Sequence, residues 1–129
     1  MITADEIADL ARNLGGSTAN EVRIRCGVSR AYYAAFHYCE KAANQFCNQL
    51  PDSDKEGRGD HSKLYVRLEK HSNDTSNEDN LRKMAAEAKN LRTLRVDADY
   101  HLEKTLDLKL HGRSLHYMNQ VKKYHNLLK

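Results

Sequence analysis

Arg95 and its neighbours form the stretch of this chain where side-chain chemistry and helical spacing disagree. The segment reads Leu91-Arg92-Thr93-Leu94-Arg95-Val96-Asp97-Ala98-Asp99-Tyr100-His101. Stepping about 100° per residue from Leu81, the residues Met84, Ala85, Ala88, Leu91 and Ala98 share one side of a helix. Arg95 falls near the middle of that apolar stripe. A guanidinium keeps its charge inside a protein, so it requires a carboxylate, a partner surface or an anionic ligand. Asp99 stands one turn further on and offers a local i,i+4 pair, and snorkelling past the rim of the core is the other local solution.

Other residue types that could do chemistry are placed less tellingly. Ser29, Tyr33 and His37 stack at i,i+4 on one face of a long helical segment, beside a strip of Val28, Ala31, Ala35 and Ala42. Small alanines permit a tight helix crossing, and tyrosines fill the space beside them while keeping a hydroxyl to bond. His37 reads as a satisfied, half-buried histidine. No HExxH motif occurs, and His111 and His116 are five apart, which splays their rings around a helix. Glutamate-x-x-histidine pairs of the kind that build di-iron bundles are missing too, so neither a metal nor another cofactor is expected. Phosphate-cradling GxxxxGK[ST] and GxGxxG loops do not occur. Arg95 is left as the promising polar anomaly.

The positioning elements follow from composition and pattern. The 129 residues suit one domain with one core; no Trp, one Pro and six Gly, with long stretches free of breakers, indicate an all-α chain. No apolar run reaches the roughly 18 residues of a membrane span, and the first residues lack the layout of a signal peptide. Cys26, Cys39 and Cys47 are odd in number and lack CxxC spacing, so they read as small core residues of a reduced, cytoplasmic protein. The net charge is +3. Residues 1–49 balance, residues 50–80 carry −3, residues 81–100 carry +2 and residues 101–129 carry +4. The positive excess therefore sits in the last third, with His101, His111, His116 and His125, and suits RNA or a solvated surface alike.

Along the chain, Thr3-Ala-Asp-Glu6 is a capping box leading into Ile7, Leu10, Ala11 and Leu14 as an inward face. Gly15-Gly16 ends that helix by tolerating a left-handed cap. Thr18-Ala-Asn-Glu21 opens a long helix from about 19 to about 48, stopped by Pro51, with Gly27 marking a close approach or a bend. Residues 51–60 form an acidic loop, after which Asp60 caps a short helix over 61–71 with Leu64, Val66 or Arg67, and Leu68 inward. A polar loop over 72–77 leads to Thr75-x-x-Glu78, which opens the helix carrying Arg95. The last helix covers about 108–128, with Leu115, Met118, Val121 and Leu128 inward. Four major helices and one short one, with short connections, predict an up-down bundle.

Two segments taken together resemble a known family. Ser-Arg-Ala-Tyr-Tyr-Ala-Ala-Phe-His at 29–37 resembles the second-helix signature of prokaryotic HEPN domains. Leu-Arg-Val-Asp-Ala-Asp-Tyr at 94–100 resembles the arginine…Ala-Asp-Tyr frame at the end of that family's penultimate long helix. The element order, the acidic loop, the Gly-Asp-His start at 59–61 and the final helix also fit, so the resemblance covers nearly the whole chain.

The resemblance implies a HEPN-like helical bundle forming a twofold homodimer. Many such proteins are metal-independent endoribonucleases of toxin–antitoxin, abortive-infection and phage-defence systems, often beside a nucleotidyltransferase or antitoxin partner. Their motif, an arginine followed after four to six residues by a histidine, is matched by Arg95 and His101 with five residues between. On that likeness Arg95 holds the scissile phosphate of RNA and His101 is the general acid or base, with Asp97, Asp99 and Tyr100 in support. The product is a 2′,3′-cyclic phosphate, and DNA, lacking the 2′-hydroxyl, is inert. On a continuous helix His101 lies about 120° around from Arg95, so the helix must unwind near Asp99 or a second subunit must supply the partner. Val96 after the arginine and Glu103 two residues after the histidine depart from the active toxins' pattern. They support a second reading, a catalytically silent dimer that binds nucleotide or a partner protein. A third is a structural bundle with Arg95 tied to Asp99.

Overall fold

The structure, a computed structural model, describes residues 2–16 and 20–129. Helix α1 (Ala4–Leu14) begins at Thr3, whose side-chain oxygen accepts the Glu6 N–H at 3.1 Å, as the capping-box spacing predicts. Helix α2 (Glu21–Phe46) begins at Asn20, whose side chain accepts the Arg23 N–H at 3.0 Å. The predicted capping role of Thr18 lies outside the described residues. The expected acidic loop contains a one-turn helix α3 (Asp52–Lys55), in which Pro51 supplies the N-cap position. In helix α4 (Asp60–Lys70), Gly59 takes the cap position and Asp60 lies inside the first turn, where its charge suits the helix dipole. A 3₁₀ turn at Thr75–Asn77, capped by Asp74 accepting the Ser76 N–H, precedes helix α5 (Glu78–Tyr100); Thr75, expected to cap α5, lies inside that turn, and Asn77 holds the cap position. Helix α6 (Leu108–Asn126) starts at Asp107, whose side chain accepts the Leu110 N–H.

The chain is thus an all-helical bundle of six α-helices among the described residues, with α3 added to the expected five. Helix α2 is its axis, packing against α1, α4, α5 and α6. Alanine makes this possible: Ala31, Ala34, Ala35, Ala42 and Ala43 are fully buried, and small side chains let four helices approach one. Tyr32, Leu81, Met84, Ala85, Ala88, Leu91, Met118 and Val121 fill the remaining space. Leu115 and Leu128, expected inward, pack on the core while partly exposed. A smaller cluster of Ile24, Val28, Leu94, Ala98 and Leu106 closes the end of the bundle that carries the Arg95 stretch. At the other end an antiparallel bridge joins the exits of α2 and α4, with the Asn48 N–H donating to the His71 carbonyl at 2.7 Å.

Several expectations are corrected by packing. Ala8 and Ala11 carry the buried face of α1, whereas Leu10 is 48% exposed. Cys39 and Cys47 are buried, but Cys26 is exposed. On α4 the buried set includes Tyr65 and Val66, while Arg67 turns to the carbonyls of Ala43 and Asn48. After α1 the positive φ, 132°, falls at Gly16, while Gly15 is extended, with φ −84°. Its reason is space: a side chain at Gly15 or Gly27 would collide with the imidazole of His111. His111 is buried between them, and its Nε2–H donates to the Ala11 carbonyl at 2.9 Å. One ring on α6 therefore explains both glycines, confirming Gly27 as a close approach.

Candidate functional site

The structure divides the eight predicted site residues into two groups, the first gathered at the last turns of α5. Arg95 is withdrawn from solvent, with its side chain 13% exposed. Its Cζ stands 5.6 Å from the ring centre of Tyr32, 5.8 Å from Tyr33 and 5.3 Å from Tyr100. Each distance is within the range of a cation–π contact, so three electron-rich faces surround the cation. Its Nε lies 2.8 Å from Asp99 Oδ2, and Ser29 Oγ donates to the same oxygen at 3.2 Å. The Arg95 Nε–H is not aimed along the short line to Asp99; it remains a buried donor without an aligned hydrogen bond. The contact is an ion pair by distance and leaves hydrogen-bonding capacity unused. Arg95, Asp99, Tyr100, Ser29 and Tyr33 are thus brought together.

His101, Asp97 and His37 are not part of that assembly. His101 is the residue at which α5 ends, and its Nδ1 pairs with Glu103 Oε1 at 3.3 Å. It makes no hydrogen bond or ion pair with Arg95 of its own chain. Asp97 pairs with Lys104 at 3.0 Å and orients neither Arg95 nor His101. His37 is exposed rather than half-buried; it faces Glu40 at 3.6 Å and lines a separate groove with Tyr38, Lys41 and His125.

Arg25 is the residue that sequence reasoning missed at the helix end. Its guanidinium donates to the carbonyls of Asp97 and Ala98 at 3.0 Å each and of His101 at 3.3 Å, with Lys104 also accepting. Glu21 pairs with the same guanidinium at 3.0 Å and accepts the Leu106 N–H at 3.2 Å. The last carbonyls of a helix have no partner within it, so this clamp satisfies them and fixes where α5 stops. Nothing in the local pattern around residue 25 signals it, because the partners lie more than 70 positions away.

A second cluster adjoins the Tyr32 ring. The imidazole of His61 stacks on it at 5.5 Å with an interplanar angle of 18°, and Phe36 packs 4.8 Å from the same imidazole. The Tyr32 hydroxyl bonds His61 Nδ1 and, at 2.6 Å, the Tyr65 hydroxyl. Burial first, then the charges of Arg92 and Arg95, push His61 below the ordinary imidazole value. Burial raises both tyrosines, which therefore stay protonated. Arg92 and Arg95 are i,i+3 on α5, and Arg92 has no ion pair among the described residues.

Beside Asp99 opens an apolar groove of about 610 Å³, lined by Leu10, Leu14, Val22, Cys26, Ala98 and Leu102. Val22 is 69% and Leu102 74% exposed, an unusual cost in water for aliphatic side chains grouped together. Among the described residues no cluster of three His, Cys, Asp or Glu side chains is arranged to hold a metal ion. No described helix is long and apolar enough to cross a membrane. The chain matches no family model, no curated protein and no solved structure.

Proposed function

We propose that the chain is a metal-independent endoribonuclease of HEPN type, acting as a homodimer with Arg95 as the clamp for the scissile phosphate. The observation that carries this reading is Arg95 itself. A cation withdrawn from water, flanked by three rings and one carboxylate, with its Nε–H left without an aligned acceptor, is suited to receive an anion. The exposed apolar groove beside Asp99 supports a second copy as its cover. The family motif gives proton transfer to His101, supplied in this reading by the second copy. A nucleotidyltransferase or antitoxin remains the partner class implied, and a toxin or phage-defence role the setting.

The test uses purified chain, mixed-sequence RNA and a chelator. Wild type should release 2′,3′-cyclic phosphate ends, Arg95→Ala should not, and DNA of the same sequence should stay intact. Intact RNA with wild type, or equal cleavage by both proteins, overturns the reading. The silent binding module is favoured by Asp99 already neutralising Arg95 and Glu103 holding His101. Under it, wild type leaves RNA whole and forms a complex with nucleotide or protein that Arg95→Ala loses.

A further inference from the structure

We propose that His61 is the general base of the Arg95 site, its Nε2 taking the proton from a ribose 2′-hydroxyl of an RNA strand held at Arg92 and Arg95. The inference rests on the ribonuclease reading above and assigns the proton transfer to a residue outside the family motif. Four observations carry it. First, His61 stacks on the Tyr32 ring at 5.5 Å and the Arg95 guanidinium stands 5.6 Å from the centre of the same ring, so base and phosphate clamp adjoin one residue of a single subunit. Second, the imidazole is held: Tyr32 and Phe36 pack on its ring, and Tyr32 bonds Nδ1. The Tyr32 hydroxyl both accepts and donates. When it donates to Tyr65 it accepts from Nδ1–H, and the ring's lone pair is then on Nε2, which has no hydrogen-bond partner among the described residues. An oriented imidazole with its far nitrogen free is what general-base chemistry requires. Third, Arg92 brings positive charge without a paired carboxylate, whereas the Arg95 charge is already shared with Asp99. Fourth, His101 is engaged by Glu103 and is 44% exposed, with no ring or hydroxyl fixing it.

The step balances without an added reagent. Nε2 accepts the 2′-hydroxyl proton while the 2′-oxygen forms a bond to the neighbouring phosphorus. The bond from phosphorus to the 5′-oxygen breaks, and that oxygen leaves with its electron pair and takes a proton from water. The products are a 2′,3′-cyclic phosphate and a 5′-hydroxyl, and the imidazolium returns its proton to solvent. Tyr32 is a positioning residue here. The groups facing the imidazole are Tyr32 from α2, Asp60 and Tyr65 from α4, and Arg92 and Arg95 from α5. The two arginines oppose its protonation, and Asp60 favours it.

The experiment follows cleavage of one labelled oligoribonucleotide by the full chain in chelator. His61→Ala should lose about 100-fold or more in rate, and added imidazole should restore part of it. The wild-type rate should fall on acidification with a midpoint below 6.5, the ordinary imidazole value, and Arg92→Ala should move that midpoint upward. Full activity in His61→Ala overturns the inference and leaves the ribonuclease reading standing. So does a folded His61→Ala that imidazole does not revive, or a midpoint that Arg92→Ala leaves in place. Wild type that cleaves nothing overturns both.

Discussion

Arg25 and Arg95 stand at the same end of α5, withdrawn from water to almost the same degree, with side chains 11% and 13% exposed. Their surroundings differ. Arg25 is saturated: carbonyls at and just beyond the end of α5, together with the Glu21 carboxylate, receive its donors. Arg95 is surrounded by ring faces, which attract its charge and accept no conventional hydrogen bond, and by one carboxylate to which its Nε–H is not aligned. Burial alone therefore does not distinguish the two arginines. The number of donors left over does.

This contrast can be broken by experiment, beginning with the largest expected effect. Arg95→Ala should cost roughly 100- to 1,000-fold in RNA cleavage, the typical loss on removing one oriented donor to developing negative charge. Its urea midpoint should move less than that of Arg25→Ala, and the reverse order would sink the distinction. Arg25→Ala should destabilise the fold by about 2–4 kcal/mol, because several partly buried carbonyls and Glu21 lose their partner together. Chemical denaturation measures this, and amide exchange should quicken first around residues 97–106.

Next in size is Gly27→Ala, where the new methyl meets the His111 ring. A loss of about 1–3 kcal/mol is expected, since the imidazole has a helix on either side and little room to retreat. The double variant with His111→Ala should recover part of that loss; no coupling between the two changes would refute the clip. The smallest effect is pH-dependent. Burial lowers His61 and His125 in the folded chain, so the unfolded chain binds more protons near and below pH 6.5. The stability these groups contribute is present above their unfolded value and lost as pH falls through that value toward the folded one. Urea midpoints measured from pH 7.5 down to 5 should decline, and a flat profile would contradict the assignment.

Much of the bundle was legible in the sequence. The apolar stripe over Leu81, Met84, Ala85, Ala88, Leu91 and Ala98 is buried as its period predicts, and the Thr3 cap forms as its spacing predicts. Leu10 and Cys26 were misjudged for a common reason. A helical period assigns a residue to a face, but it does not say how far the neighbouring helix extends along it, and among the described residues no helix covers Leu10 and Cys26. Of the candidate site, the Arg95–Asp99 pair was readable as an i,i+4 contact. The tyrosines were visible as a face without a purpose, and His101 was placed by motif alone.

What the sequence by itself determined are the short-range matters: all-helical character, most helix limits, the buried stripe of α5 and an arginine standing where an apolar residue belongs. These rest on periodicity and capping, which act over one or two turns. Only the tertiary structure decided that Arg25 closes α5, that His111 accounts for both glycines, and that His61 shares the Tyr32 ring with Arg95. Those contacts join residues tens of positions apart, and their directions are set by how helices cross. No spacing within a single helix encodes that.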